Sequence, residues 1–164
     1  MSTALPLRVG IGYDSHRFGE GGPMRLGGID IPADRHCAGH SDGDAICHAV
    51  TDALLGAAAL GDIGEMFPDT DVANKGKDST VMLSAAVARL HHAGWRVGNV
   101  DITVVTQRPK IGPHRAAIRA RLAELLEVAD SDVFVKGKTN ELMGWIGREE
   151  GLAVVATATV LPRR

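Results

Sequence analysis

The chain has 164 residues, 18 Lys and Arg against 20 Asp and Glu, a formal net charge of −2 and 45% hydrophobic residues. That is enough for one domain, residues 1–164, whose core needs no staple, and the near-neutral balance gives no basic field to hold nucleic acid or an anionic membrane. Cys37 and Cys47 make no disulfide framework, the segment before Arg8 lacks the apolar core of a signal peptide, and no apolar run nears the roughly 20 residues of a spanning helix, so a reduced cytoplasmic protein is expected.

Glycine is frequent, 20 of 164 residues against a usual share of about 7%, which points to close backbone approaches or unusual angles. Leu7 to Tyr13 alternates as a strand, and Met24 to Ile31 reads as two short strands about a Gly27-Gly28 turn. A helix capped by Ser41 is expected through Ala45, Ile46, Ala49, Val50, Ala53 and Leu54. A second helix, capped by Asp78 or Ser79, carries Val81, Met82, Ala85, Ala86 and Leu90 and stops before Gly94. Gly98 to Thr106 is a strand, Pro113 starts a helix bearing Ile118, Leu122, Leu125 and Leu126, and Asp132 to Lys136 is another short strand. The last strand, Leu152 to Leu161, is apolar or small on both faces and should be buried on both. Three substantial helices cover one face of the sheet, so a second subunit is expected on the other. The fold class is α+β, a mixed sheet with helices packed on one face.

Asp14 and His16 are two apart on a strand and share a face, which a solvated pair would also do. With His48 on the following helix they make an Asp/His/His set that leaves a coordination position open, as a catalytic Zn²⁺ requires. Asp44 and Asp52 stand one turn either side of His48, either as acceptors that orient its ring or as ordinary helix-face charges. Ser41, at a helix N-terminus, offers N–H groups to a phosphate or simply caps the helix. Lys136 to Glu141 contains Gly-Lys-Thr but lacks the first glycine of a phosphate-binding loop, since Asp132 stands there. What remains is a strand end where Lys138 and Thr139 suit phosphate and Glu141 a hard cation. His36, His91, His92 and His114 read as surface side chains.

Six segments together are more specific than any one of them: Gly12 to His16, His40 to Asp44 with His48, Thr51 to Ala57, Gly61 to Gly64, Phe67 to Asp71, and Gly147 to Gly151. Over Arg8 to Leu161 the chain resembles the 2-C-methyl-D-erythritol 2,4-cyclodiphosphate synthases of non-mevalonate isoprenoid biosynthesis. The resemblance implies a homotrimer with active sites between subunits and Zn²⁺ on Asp14, His16 and His48. It implies a phosphorus-oxygen lyase that turns 4-diphosphocytidyl-2-C-methyl-D-erythritol 2-phosphate into the cyclic diphosphate and CMP. Glu141 would hold Mg²⁺ or Mn²⁺, and His40 and Thr139 would stabilise the transition state. Substrate contacts would come from Asp14, Ser15, His16, His40, Ser41, Asp62, Ile63 and Gly64, with Phe67, Pro68, Asp69, Thr70 and Asp71 completing the methylerythritol pocket. Thr106, Gln107, Arg108, Pro109, Lys110, Ile111 and Gly112 would hold the cytidine with Lys138, Thr139, Asn140 and Glu141. Trp145 and Arg148 would approach a cavity on the threefold axis that can take an isoprenoid diphosphate. Lys138 stands where the family often has Thr, and Trp145 where Phe is common. The competing readings are a metallophosphatase and a non-catalytic isoprenoid-diphosphate-binding trimer; the latter leaves Asp14, His16, His48, Lys110 and Glu141 without a purpose.

Overall fold

A computed structural model describes residues 7–163; the reading of the leading segment falls mostly on residues 1–6, outside the described ones. The main sheet has five strands in the order β4-β1-β7-β5-β6, formed by β1 (Arg8–Glu20), β4 (Arg35–Cys37), β5 (Trp95–Val105), β6 (Val133–Lys138) and β7 (Gly151–Pro162). Only β5 and β6 run parallel, so the sheet is mixed as expected. The hairpin expected about Gly27-Gly28 is present as β2 (Met24–Leu26) and β3 (Ile29–Ile31).

The three expected helices are α1 (Ala45–Ala58), α3 (Ser79–His92) and α4 (Arg115–Leu126). Two four-residue helices, α2 (Ile63–Met66) and α5 (Gly144–Gly147), were not expected. The cap of α1 is Asp44, not Ser41: its carboxylate accepts from Cys47 N–H and the helix starts three residues later than the sequence suggested. Asp78 caps α3 through Thr80 N–H.

α1 lies on β1 and β7 with a face of small side chains, Ala49, Ala53 and Ala57. The strand side of that contact is glycine, because a Cβ on Gly10 would run into the carbonyl of Ala53 and one on Gly12 into that of Ala49. Backbone therefore packs nearly on backbone. Leu152, Val154, Ala156, Ala158 and Val160 fill the core side of β7 and are fully buried.

Within one chain the other face is partly bare. Thr157 is exposed and Val155 and Thr159 are half-buried on β7, while Val9, Ile11 and Tyr13 stand exposed beside them on β1. At the far edge, Arg115 Nε donates to Val135 O at 2.8 Å and Arg119 Nε to Val133 O at 2.7 Å, so side chains of α4 occupy carbonyls of β6. Both guanidinium groups also lie 5.4 Å from the Phe134 ring.

Candidate metal centre and substrate cleft

The alternation that turns Gly10 and Gly12 toward α1 continues along β1 to Asp14 and His16. The close approach of α1 brings His48 to the same place. Asp14 Oδ2 lies 3.1 Å from His16 Nδ1 and 3.1 Å from His48 Nδ1, and the two rings are 5.4 Å apart between centroids. Ligand atoms of all three lie within 4.8 Å of one another, the one three-residue set of this kind among the described residues.

A divalent metal fits this set. His16 Nδ1 is buried and has no hydrogen-bond partner despite its distance to Asp14, as expected of a lone pair reserved for a cation. Burial pushes the Asp14 carboxyl up, but the neighbouring imidazoles of His16 and His48 outweigh it and hold the group below its ordinary range. Burial likewise disfavours a charged His48, and the Asp14 hydrogen bond with the fields of Asp14, Asp44 and Asp42 reverses this and raises it. Three ligands of which one is a carboxylate leave a position for a substrate oxygen.

Neither Asp44 nor Asp52 orients His48. Asp44 is fully buried, and besides Cys47 N–H it accepts from the N–H groups of Gly27 at 2.8 Å and Gly28 at 2.7 Å, fixing the β2-β3 turn. Asp52 accepts from Ile63 N–H at 2.8 Å and so holds the start of α2. Burial raises Asp52, partly countered by that N–H. The groups on His48 Nε2 are Ser79 Oγ at 2.8 Å and Ser41 Oγ at 3.0 Å, and Ser79 is in turn bonded to Asp42. Ser41 therefore faces the imidazole rather than capping the helix, and Asp44 takes the Cys47 N–H at the start of α1.

The ligands line a cleft of about 510 Å³ that also takes in Ser15, His40, Ser41, Ile63, Gly64, Phe67 and Asp69. Of the expected substrate residues on this side, Asp62, Pro68, Thr70 and Asp71 do not line it. Asp62 caps α2 through Glu65 N–H, and Asp71 caps the turn at Val72–Asn74 through Ala73 N–H. Sequence reading missed Arg17, Asn74 and Met82 on the cleft wall. Asn74 ties its loop together through Pro68 O and Lys77 Nζ, and Lys77 lies 5.0 Å from the Phe67 ring.

The second expected cluster lies elsewhere on the chain. Thr106, Pro109, Lys110, Ile111, Gly112, Lys138 and Thr139 line a separate cavity of about 300 Å³. Gln107 joins its two rims, its Oε1 accepting Asn140 N–H at 2.8 Å. Glu141 is exposed with φ 52° and Leu142 follows with φ 61°, two consecutive left-handed residues other than glycine. Arg108 meets Glu149 at 3.4 Å, and Glu149 also engages Arg35, on a third cavity of about 430 Å³. Trp145 is 39% exposed, and exposed Arg148 pairs with Glu150 at 2.8 Å. One chain thus brings together the Asp/His/His set with its cleft and, separately, the Thr106 to Gly112 and Lys138 to Glu141 segments; it does not join the two.

The model of the YgbB family matches residues 7–161. A curated 2-C-methyl-D-erythritol 2,4-cyclodiphosphate synthase from Gemmatimonas aurantiaca is 84% identical over 96% of this chain and 95% of its own length. Among solved structures, the bifunctional IspDF from Campylobacter jejuni superposes with a TM-score of 0.92 at 39% identity, covering 95% of this chain and 42% of that one. IspF from Plasmodium falciparum, solved as a CDP complex, superposes at 0.84 with 34% identity, covering 96% of this chain and 97% of that one.

Proposed function

This chain belongs to the YgbB family, and on that premise we propose how its residues carry out the cyclodiphosphate synthase reaction of isoprenoid biosynthesis. The substrate is 4-diphosphocytidyl-2-C-methyl-D-erythritol 2-phosphate. An oxygen of the 2-phosphate attacks the β-phosphorus of the same molecule, the bond from that phosphorus to the α-phosphate oxygen breaks, and CMP leaves with the electron pair. No protein nucleophile is needed. The task is to hold two anionic phosphates in line, which positioning and charge compensation accomplish. The observation that carries the reading is the buried Asp14-His16-His48 set opening on a cleft, in a chain so similar to a synthase of that name.

Asp14, His16 and His48 would hold Zn²⁺, and Glu141 would hold Mg²⁺ or Mn²⁺. Bound divalent cations supply Lewis acidity and neutralise phosphate charge. Lys110 and Lys138 bind the anionic end of the nucleotide, with Thr106 to Gly112 and Thr139 to Glu141 around the cytidine. Ser15 and Ser41 hydrogen-bond to phosphate, His40 and Thr139 donate to the oxygens where charge builds, and Asp62, Ile63 and Gly64 contact the sugar portions. Phe67, Pro68, Asp69, Thr70 and Asp71 close over the methylerythritol.

The separation of the two clusters supports a site completed by a second copy, and so the homotrimer. The bare Val9, Ile11 and Tyr13 face supports it too, since covering each such side chain is worth roughly 1.5–3 kcal/mol. No helix of the described residues is long and apolar enough to cross a membrane, and a cytoplasmic location fits the free, buried cysteines.

The test is to incubate purified protein with the cytidyl substrate and Mg²⁺ and to follow CMP and the cyclic diphosphate by ³¹P NMR, with and without a Zn²⁺ chelator. Chelator-sensitive release of both is expected. Inorganic phosphate in place of CMP would identify a metallophosphatase, and no turnover by metal-replete protein would leave the binding-protein reading.

A further inference from the structure

Ser79 and Asp42 line none of the three cavities described above, yet they end in the ring of His48. Ser79 is fully buried at the start of α3, and both its backbone N–H, at 3.0 Å, and its hydroxyl reach the carboxylate of Asp42. Asp42 is fixed in turn by Asp44 N–H at 3.1 Å and by its own N–H to Lys77 O at 3.2 Å. An ionised carboxylate only accepts, so the single hydroxyl proton of Ser79 goes to Asp42. The Ser79 oxygen then has only lone pairs to offer His48 Nε2, 2.8 Å away. Nε2 must therefore be the donor. In the neutral ring that leaves Nδ1 bare, and Nδ1 is the nitrogen 3.1 Å from Asp14 Oδ2.

We propose that Asp42 and Ser79 are positioning residues for the metal centre: they lock His48 in the tautomer and ring orientation that present the Nδ1 lone pair to a divalent cation beside Asp14. This rests on reading Asp14, His16 and His48 as a metal site. Partners of this kind behind a histidine ligand raise its basicity and spare the cation the cost of ordering the ring, and their loss typically costs 10- to 100-fold in affinity. Ser41 Oγ, at 3.0 Å from the same nitrogen, lacks a carboxylate behind it. It is the weaker partner.

The experiment measures Zn²⁺ affinity of the full chain by competition with a chromophoric chelator, for the wild type, Ser79→Ala, Ser79→Thr, Asp42→Asn and Ser41→Ala. Ser79→Ala is expected to weaken binding about 10- to 100-fold, Asp42→Asn less, and Ser79→Thr and Ser41→Ala by under about threefold. A packing role for Ser79 predicts the reverse order, since Ala fits the space and Thr overfills it. The proposal is overturned if Ser79→Ala binds within about twofold of wild type or if Ser79→Thr is the weaker binder. A second measurement needs no variant: ¹⁵N NMR of the zinc-loaded wild type should show the His48 proton on Nε2, protected from exchange, and a proton on Nδ1 overturns the proposal. If the wild type binds no Zn²⁺, the metal reading itself fails and takes this proposal with it.

Discussion

The two clusters that make up the candidate site are built differently. Asp14, His16 and His48 stand on a long strand and a helix pressed together over glycine and alanine, and their side chains are largely sheltered. Thr106 to Gly112 and Lys138 to Glu141 stand on strand ends and loops, joined by a glutamine side chain and carrying two left-handed residues. The first set is shaped before any ligand arrives. The second has its lysines in water and few contacts of its own, so on the proposed function substrate and a neighbouring copy would do more of the ordering.

The largest expected effect is on chemistry at the rigid half. His48→Ala should leave the secondary structure intact by circular dichroism and lower kcat by about 10³-fold, because on the proposed function it removes a ligand of the metal that orients phosphate. Gly12→Ala tests whether that rigidity comes from backbone contact. Its methyl group has nowhere to go against Ala49 O, and about 3 kcal/mol of overpacking strain should appear as a fall in Tm accompanied by weaker zinc binding. An unchanged Tm would mean the strand and helix separate cheaply.

On the loop side, Gln107→Ala frees Asn140 N–H and should cost about 1 kcal/mol of order, read as a roughly 5-fold rise in KM with zinc affinity unchanged. If zinc binding falls as well, the two halves are coupled more tightly than their separate cavities imply.

The smallest effect is on pH dependence in metal-free protein. His48 is raised above its ordinary 6.5, so its contribution is fully present below that value and is lost as pH rises through the raised one. Asp14 is held below its ordinary 3.8, so its contribution is present above that value and lost as pH falls through the lowered one. Metal-free wild type should therefore lose Tm as pH rises above 6.5 relative to His48→Gln, by a few degrees at most, since 1 kcal/mol moves Tm by about 2–4 °C at this size.

What sequence could reach follows the same division. The long elements announced themselves through periodicity, and the Asp/His/His set through alternation on β1 and its position on α1. β4, α2 and α5 have three or four residues each, too few to show a period. The start of α1 was misplaced because Asp44 outcompetes Ser41 as cap, and its other bonds go to Gly27 and Gly28, 16 and 17 residues away. Ser79 reaches Asp42 across 37 residues. Its role depends on α3 meeting the loop before α1, which no local pattern encodes. Asp62 and Asp71 also cap helical turns, and a lone Asp in a sequence does not separate capping from ligand contact.

The arginines along β6 bear on how copies of this chain can associate. With Arg115 and Arg119 on the carbonyls of Val135 and Val133, that margin offers no ready ladder for a foreign strand, whereas at the opposite margin β4 covers only Phe18–Glu20 of β1. Growth by strand addition, which has no natural end, is hindered at the β6 side. The face bearing Val9, Ile11 and Tyr13 is exposed, and contacts through a face about a rotation axis close on themselves after a fixed number of copies.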